Sequence, residues 1–169
     1  MPDATGLELI AQDLRESNPD AVLRTSYFRE EATVEVAPAH LRTAAEALHV
    51  RGYTFLASCH GVDYYPDEPR LGVHYQLLDM PNVDRICVMT RVPLADPHVP
   101  SLCGLWPGAN HPEREVFDMF GVVFDEHPDL RRILMPEDYE GFPQRRDFPV
   151  GGEPVIFTYN EDKLPGWTQ

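Results

Sequence analysis

The chain has 169 residues, 43% of them hydrophobic and 25% charged, which is the length and composition of one globular domain. Its formal net charge of −14 argues against nucleic-acid binding and against direct adsorption to an anionic lipid surface, because both need a basic face. No apolar run approaches the roughly 20 residues that cross a bilayer, so we expect no direct membrane insertion.

Two helices and four strands are predicted before residue 93. The first helix carries apolar residues at helical spacing from Leu7 to Leu14 and ends at Asn18-Pro19. The second runs from about Ala39 to Val50, with Gly52 just past its end. The predicted strands are Ala32–Val36, Tyr53–Val62, Leu71–Leu78 and Asp84–Val92. This order predicts a two-layer α+β domain in which a mixed β-sheet packs on helices.

Prolines become frequent after residue 93, where the chain is expected to be mostly loop with one helical turn at Leu102–Leu105. A short helix is predicted over Asn110–Gly121, with Asn110 as the N-cap and Glu113 completing a capping box. Beyond Phe124 no period is evident, yet a large apolar residue recurs every few positions. We therefore predict a core domain over 1–124 and an extended, Pro-rich segment over 125–169 that wraps a partner. Folding back over its own sheet is the alternative.

The densest group of reactive side chains lies on the predicted short helix. His111, Glu115 and Asp118 would share one face, and such a set could hold a metal ion. Arg114 is one turn before Asp118 and could neutralise the acids itself, which favours a capped helix with an ion-pair network. His127 could act as a general base, but no serine or cysteine nucleophile is paired with it in a known motif.

No cofactor-binding motif is present in the sequence. Cys59, Cys87 and Cys103 are far apart and no C-x-x-C occurs, so neither an iron–sulfur cluster nor a zinc ribbon is predicted. The glycines form no nucleotide-binding loop. The pairs Arg131-Arg132 and Arg145-Arg146 are expected to clamp carboxylates of the same protein or of a neighbour.

The run from Glu113 to Pro149 carries an ordered signature. Its residues are Glu113, Arg114, Glu115, Asp118, Phe120, Gly121, His127, Pro128, Arg132, Pro136, Glu137, Gly141, Pro143, Arg145, Arg146 and Asp147. This string resembles the 30-kilodalton subunit family of NADH-quinone oxidoreductase (respiratory complex I). Gln144 and Arg146 depart from the leucine and lysine that the family commonly has there.

The resemblance implies a cofactor-free structural subunit of the hydrophilic (peripheral) arm of the complex. It implies docking on the large quinone-site subunit, beside the subunits that carry nearby iron–sulfur clusters, with the clusters and the flavin held by partners. The signature residues would shape that interface or the fold beneath it. The resemblance also implies a peripheral location on the cytoplasmic face of the cell membrane, and no catalytic activity in the isolated chain.

Besides a free binding module whose tail folds on a transient partner, two alternatives remain open on the sequence. One is a stand-alone metal-dependent enzyme that uses His111, Glu115 and Asp118. The other is the equivalent subunit of a related photosynthetic dehydrogenase or membrane-bound hydrogenase complex, since those subunits share parts of the signature.

Overall fold

The computed structural model describes residues 3–149. Within this range are three α-helices: α1 (Ala4–Ser17), α2 (Leu41–Val50) and α3 (Asn110–Phe120). Seven strands are present in it: β1 (Val22–Phe28), β2 (Glu31–Val36), β3 (Phe55–Asp63), β4 (Leu71–Asp79), β5 (Asp84–Val92), β6 (His98–Pro100) and β7 (Val123–Asp125). Short 3-10 turns at Pro38–His40 and Pro107–Ala109 lead into α2 and α3.

Five strands form one mixed sheet in the order β1-β2-β5-β4-β3. All neighbours are antiparallel except β2 and β5, which run parallel because the chain crosses over through α2, β3 and β4 between them. Strands β6 and β7 pair in parallel as a second, small sheet. The predicted α+β class, with a mixed sheet packed on helices, is confirmed.

The core lies between one face of the large sheet and the helices. Alternate strand residues point to the same face, and those on the core face include Val34, Tyr75 and Val88, all fully buried. Helix α3 packs against β3, where the Phe120 ring takes the space that a side chain would need at Gly61. The residues that alternate with the core positions point away from the helices and form what we call the open face.

The start of α3 differs from the prediction. Asn110 is the first residue of the helix and not its N-cap; Ala109 precedes it, and no side chain caps the first turn. The predicted capping box is therefore wrong, because the Glu113 carboxylate is fully buried and points into the core. The predicted end is confirmed: Gly121 has φ +76°, the left-handed conformation typical of a helix C-terminus.

Strand β1 has no counterpart among the predicted strands. Only Val22 of its seven residues is buried, so the strand has no apolar alternation to reveal it, and a register shift between Val22 and Arg24 disturbs it further. The residues from Leu102 to Leu105 form a single turn, in which the backbone N–H of Leu105 donates to the carbonyl of Leu102 at 3.0 Å.

Residues 126–149, which we call the C-terminal segment, lie against α3 and the ends of β3 and β4 of the same chain. The contacts described below therefore belong to the alternative in which this part folds back on its own domain. Partner wrapping by 125–169 stays a prediction, and residues 150–169 lie outside the described part of the chain.

Candidate functional site: α3 and the C-terminal segment

Asp118, near the end of α3, fastens the C-terminal segment to the helix. Its Oδ2 accepts hydrogen bonds from three successive backbone N–H groups, those of Ile133, Leu134 and Met135, at 3.0, 2.7 and 2.9 Å. Its Oδ1 accepts from the Arg132 guanidinium at 2.6 Å. Burial would raise the pKa of Asp118, but these donors outweigh burial and the pKa is lowered. Asp118 is therefore an ionised structural acceptor.

Two arginines of the signature hold backbone carbonyls. Arg132 donates to the carbonyl of Asp118 at 3.1 Å and to that of Gly141 at 3.0 Å, so it joins the helix to both parts of the segment. Arg114 donates to the carbonyls of Arg131 and Arg132 at 3.1 and 3.2 Å. The interpretation of Arg114 as the partner of the acids on its own helix is therefore wrong, since its guanidinium donates to backbone carbonyls of the C-terminal segment.

A second clamp fixes the end of the segment to the sheet. Buried Arg70 pairs with both oxygens of Asp63, with N–O distances of 2.8 and 2.6 Å, and with both oxygens of Asp147, at 3.0 and 2.7 Å. The backbone N–H of Arg146 donates to Asp63 at 2.8 Å. Hydrogen bonding to Arg70 lowers the pKa of both aspartates. Two carboxylates thus share one guanidinium in bidentate geometry, the strong form of the pair.

Gly121 is where the segment passes closest to the end of α3. A Cβ at this residue would lie 2.6 Å from the Phe142 ring and would also collide with the Arg145 guanidinium. That guanidinium stacks on Phe142 at 4.2 Å and donates from Nε to the carbonyl of Phe120 at 2.6 Å. A signature glycine here is therefore required both by its positive φ and by packing.

Glu113 lies at the centre of a buried polar network. Its carboxylate accepts from the hydroxyls of Tyr75 at 3.1 Å and Ser101 at 2.6 Å, and from the backbone N–H of Leu102 at 2.9 Å. The thiol of Cys103 adds a weak donor at 3.4 Å. Burial raises the pKa of Tyr75 well above its ordinary value, so its hydroxyl keeps the proton that it donates. The network ties β4 and the loop after β6 to α3.

The three side chains of the metal-binding alternative, His111, Glu115 and Asp118, are not brought together. His111 and Glu115 are exposed, whereas Asp118 is buried and fully engaged by the segment. Within residues 3–149 the side chains that could converge on a metal ion are instead Cys103, Glu113 and His127.

The ring of His127 opposes metal binding at that second set. Its Nδ1 accepts the backbone N–H of Asp129 at 3.0 Å, so the proton resides on Nε2, which donates to the carbonyl of Asn110 at 3.1 Å. A metal on Nε2 would need the proton on Nδ1, where it would meet another donor. His127 therefore links the segment to the start of α3.

Several remaining signature residues lie on the outer surface of the segment. Those exposed are Pro128, Pro136, Glu137, Gly141 and Arg146, while Pro143 is half-buried. Two apolar side chains accompany them, Ile133 at 37% and Leu134 at 60% exposure. The buried signature residues thus anchor the inner side of the segment. The exposed ones, together with Ile133 and Leu134, form its outer surface.

Sequence reasoning missed several partners of the signature residues, including Asp63, Arg70, Tyr75 and Ser101. Arg70 and Asp147 are 77 residues apart, and no periodic pattern connects positions at that distance. Asp63 and Tyr75 lie in two stretches with a fainter likeness to the same family, Gly61–Tyr64 and His74–Leu77, but that likeness gave no sign of what these side chains contact.

Comparison with known proteins identifies the family. The model of "Respiratory-chain NADH dehydrogenase, 30 Kd subunit" matches residues 34–154. The chain belongs to this family. It is 47% identical over 158 residues to an NADH-quinone oxidoreductase subunit of Roseiflexus sp. (strain RS-1), covering 92% of this chain and 91% of the relative. The subunit of the same name from Roseiflexus castenholzii is 49% identical over 154 residues, covering 89% and 88%.

Two solved structures share the fold. The trypsin-resistant fragment of Nqo5 is 32% identical, with a TM-score of 0.65, and the match covers 73% of this chain and 98% of the fragment. A chain of an archaeal respiratory membrane complex, the membrane-bound sulfane sulfur reductase, is 25% identical, with a TM-score of 0.70 and 85% of each chain covered. Within residues 3–149, no helix has both the length and the apolar character to cross a membrane.

Proposed function

We propose that this 30-kilodalton subunit is a cofactor-free structural part of the peripheral arm of a proton-translocating NADH:quinone oxidoreductase. It docks on the large quinone-site subunit, beside the subunits that carry the nearby iron–sulfur clusters, and supports electron transfer from NADH to quinone. The partners supply the clusters and the flavin. The chain itself is not catalytic when isolated, and it is held at the cytoplasmic face of the cell membrane through the complex.

One observation carries the proposal. The buried signature residues hold a segment without regular secondary structure in a fixed shape, and its outer surface presents Leu134 and Ile133 to solvent. Ordering such a segment costs conformational entropy, and here ion pairs and N–H donors offset that cost before any partner binds. A preformed surface of this kind favours a permanent interface, which should bury more than about 2,000 Å² in total.

Co-purification tests the proposal. The tagged chain is isolated from gently solubilised membranes of its own organism and assayed for NADH-dependent quinone reduction and bound iron. Activity and iron in a fixed ratio to the tag are expected. A chain that emerges alone, without iron, would contradict the proposal.

A matched pair of variants tests the docking surface itself. Leu134→Asp places a charge on a side chain that is 60% exposed, so it should leave the isolated chain folded but reduce co-purification at least tenfold. Leu9→Asp changes a leucine of α1 with 58% exposure and should leave co-purification unchanged. Equal effects of the two variants on co-purification would show that Leu134 and the segment around it are not part of the interface.

A second candidate follows from the archaeal likeness. The fold is shared with a chain of a membrane-bound sulfane sulfur reductase, so the same scaffold could serve a related complex with another electron donor. The co-purified complex decides: reduction of quinone by NADH supports the first candidate, and activity with a different donor alone supports the second.

A further inference from the structure

Strand β3 forms one edge of the large sheet. It is the last strand in the order β1-β2-β5-β4-β3, and among residues 3–149 the only strand whose backbone pairs with it is β4. The N–H and C=O groups on its outer side therefore have no backbone partner in that part of the chain. Ala57, Ser58 and His60 are exposed along the strand, and the Phe55 side chain is 50% exposed.

The sequence of β3 lacks the features that usually protect an edge strand. Natural sheets protect their edges with charged side chains, proline or bulges, because a free edge pairs readily with another extended chain. The stretch from Phe55 to Val62 contains no Asp, Glu, Lys, Arg or Pro. Its one irregularity is a register shift between Leu56 and Ser58, so the strand is regular from Ser58 to Asp63. We therefore expect another strand to cover this edge in the native protein.

The described part of the chain ends beside β3. The backbone N–H of Arg146 donates at 2.8 Å to Asp63, the last residue of β3, and Asp147 is held by Arg70 at 3.0 and 2.7 Å. Residues 150–169, which we call the tail, follow directly. The other edge strand, β1, is four strands away from β3, roughly 19 Å across the sheet. The tail therefore begins close to the edge at β3 and far from the edge at β1.

The tail contains one stretch whose residue types favour a strand. Residues 155–159 are Val-Ile-Phe-Thr-Tyr, all of them β-branched or aromatic. Gly151-Gly152 precedes them, a dipeptide typical of a turn. A chain that turns there, beside Asp63, would run back along β3 in the antiparallel direction. The stretch is shorter than β3, which has nine residues, so the edge is long enough to pair with all of it.

We propose that residues 155–159 form a sixth strand of the large sheet, antiparallel to β3 on its outer edge. Their backbone supplies the partners that the outward N–H and C=O groups of β3 lack among residues 3–149. The clamp of Arg70 on Asp63 and Asp147 fixes the point from which the connection starts. The pairing extends to the tail the folding back on the same domain that residues 126–149 show, and it does not depend on another subunit.

Hydrogen exchange in the full isolated chain tests the pairing. Proline has no N–H to donate and is poorly tolerated inside a paired strand, so Phe157→Pro should disrupt the new strand. We expect the outward amides of residues 58–63 to exchange at least tenfold faster in this variant, by mass spectrometry, while β5 at the centre of the sheet is unchanged. Thr168→Pro, in the same tail but outside the proposed strand, is the matched control and should exchange like the unaltered chain.

Disulfide formation gives an independent measurement and the register. Ser58→Cys, at an exposed position on the open face, is combined in turn with cysteine at each position from 155 to 159. Because successive strand residues point to opposite faces, alternate tail positions should form a disulfide with position 58 under mild oxidation. The pair of Ser58→Cys with Thr168→Cys should give at least tenfold less of that product.

The outcomes separate this inference from the proposed function. Outward amides of β3 that exchange rapidly in the isolated chain and slowly only in the purified complex would show that another subunit covers the edge; this overturns the inference while the proposed function stands. Rapid exchange in both states, exchange that Phe157→Pro leaves unchanged, or no disulfide at any of the five positions also overturns it. A chain that co-purifies with no other subunit overturns the proposed function and leaves this inference in place.

Discussion

In the sequence Asp118 lies on an acid-rich helix. In the structure its carboxylate accepts hydrogen bonds from the backbone N–H groups of residues 133–135. Replacing it with Asn keeps the shape but substitutes two N–H donors for one acceptor oxygen. The amide must then face either Arg132 or the three N–H groups of residues 133–135. We expect Asp118→Asn to lower the free energy of unfolding by about 2–4 kcal/mol, measured by urea denaturation.

Glu115→Gln is the control for that substitution. Glu115 lies on the same helix but is exposed, so the change should stay within about 0.5 kcal/mol. Asp118→Asn with an effect equally small would show that the loop does not depend on the carboxylate.

His74 makes stability depend on pH in a defined window. Burial, with a smaller contribution from His60, lowers the pKa of His74 from 6.5 to about 4. Between those values the unfolded chain binds a proton at His74 and the folded chain does not. The free energy of unfolding should therefore fall as the pH drops from about 6.5 to about 4, by about 1–3 kcal/mol.

Urea denaturation across that window measures the dependence. His74→Gln should flatten it, because the titrating group is removed, whereas His111→Gln on the exposed surface of α3 should retain it. A slope that survives in His74→Gln would assign the effect to another group.

At the scale of elements, a two-residue turn connects β1 and β2, and its backbone conformation is unfavourable for the two residues that occupy it. Arg29 and Glu30 have φ of +51° and +63°, while Phe28 pairs with Glu31 on either side of them. A two-residue turn of this kind normally contains Asn and Gly. Glu30→Gly should therefore stabilise the protein by about 0.5–1 kcal/mol, an increase in Tm of about 1–4 °C by calorimetry.

Glu30→Ala separates the backbone effect from the loss of charge. Alanine removes the side chain but still has the penalty for positive φ, so no increase in Tm is expected. A gain shared by both variants would show that the charge, and not the conformation, was unfavourable.

At the end of α3, by contrast, a glycine already occupies the position with positive φ. Gly121→Ala adds a Cβ at positive φ against Phe142 and Arg145, so we expect a loss of about 2–4 kcal/mol in urea denaturation. Gly108→Ala is the matched control, since a Cβ at Gly108 meets nothing within 4 Å, and its effect should stay within about 0.5 kcal/mol. Similar losses in both would contradict the packing described at the helix end.

These elements show which features of the fold can be predicted from local sequence patterns. Helices α1 and α2, strands β2 to β5 and the stop of α3 at Gly121 were predictable, because periodicity and glycine chemistry act between near neighbours. Strand β1 was not, because its residues face solvent. The buried role of Glu113 was not either: a Glu three residues into a helix looks the same whether it caps or faces the core. Partners brought together by the fold, such as Arg70 and Asp147, leave no local pattern.

At the scale of the whole molecule, the C-terminal segment is held by the internal clamps and, in the proposed complex, also by the interface. Limited proteolysis distinguishes the two restraints. Trypsin cuts after arginine, and the segment contains Arg131, Arg132, Arg145 and Arg146 outside regular secondary structure. Local opening of such a stretch needs little free energy compared with opening the sheet. In the isolated chain we expect the first cuts within the segment and a persistent core, as the name of the Nqo5 fragment suggests for that relative.

Docking adds a second restraint on the same bonds. If the segment's outer surface lies against a partner, cleavage at these arginines should be at least tenfold slower in the purified complex than in the isolated chain, by mass spectrometry of timed digests. Asp147→Asn weakens the internal clamp on Arg70 and should speed cleavage in the isolated chain, with a smaller effect in the complex. Equal cleavage rates in both states would mean that the internal clamps alone hold the segment and that its outer surface remains uncovered.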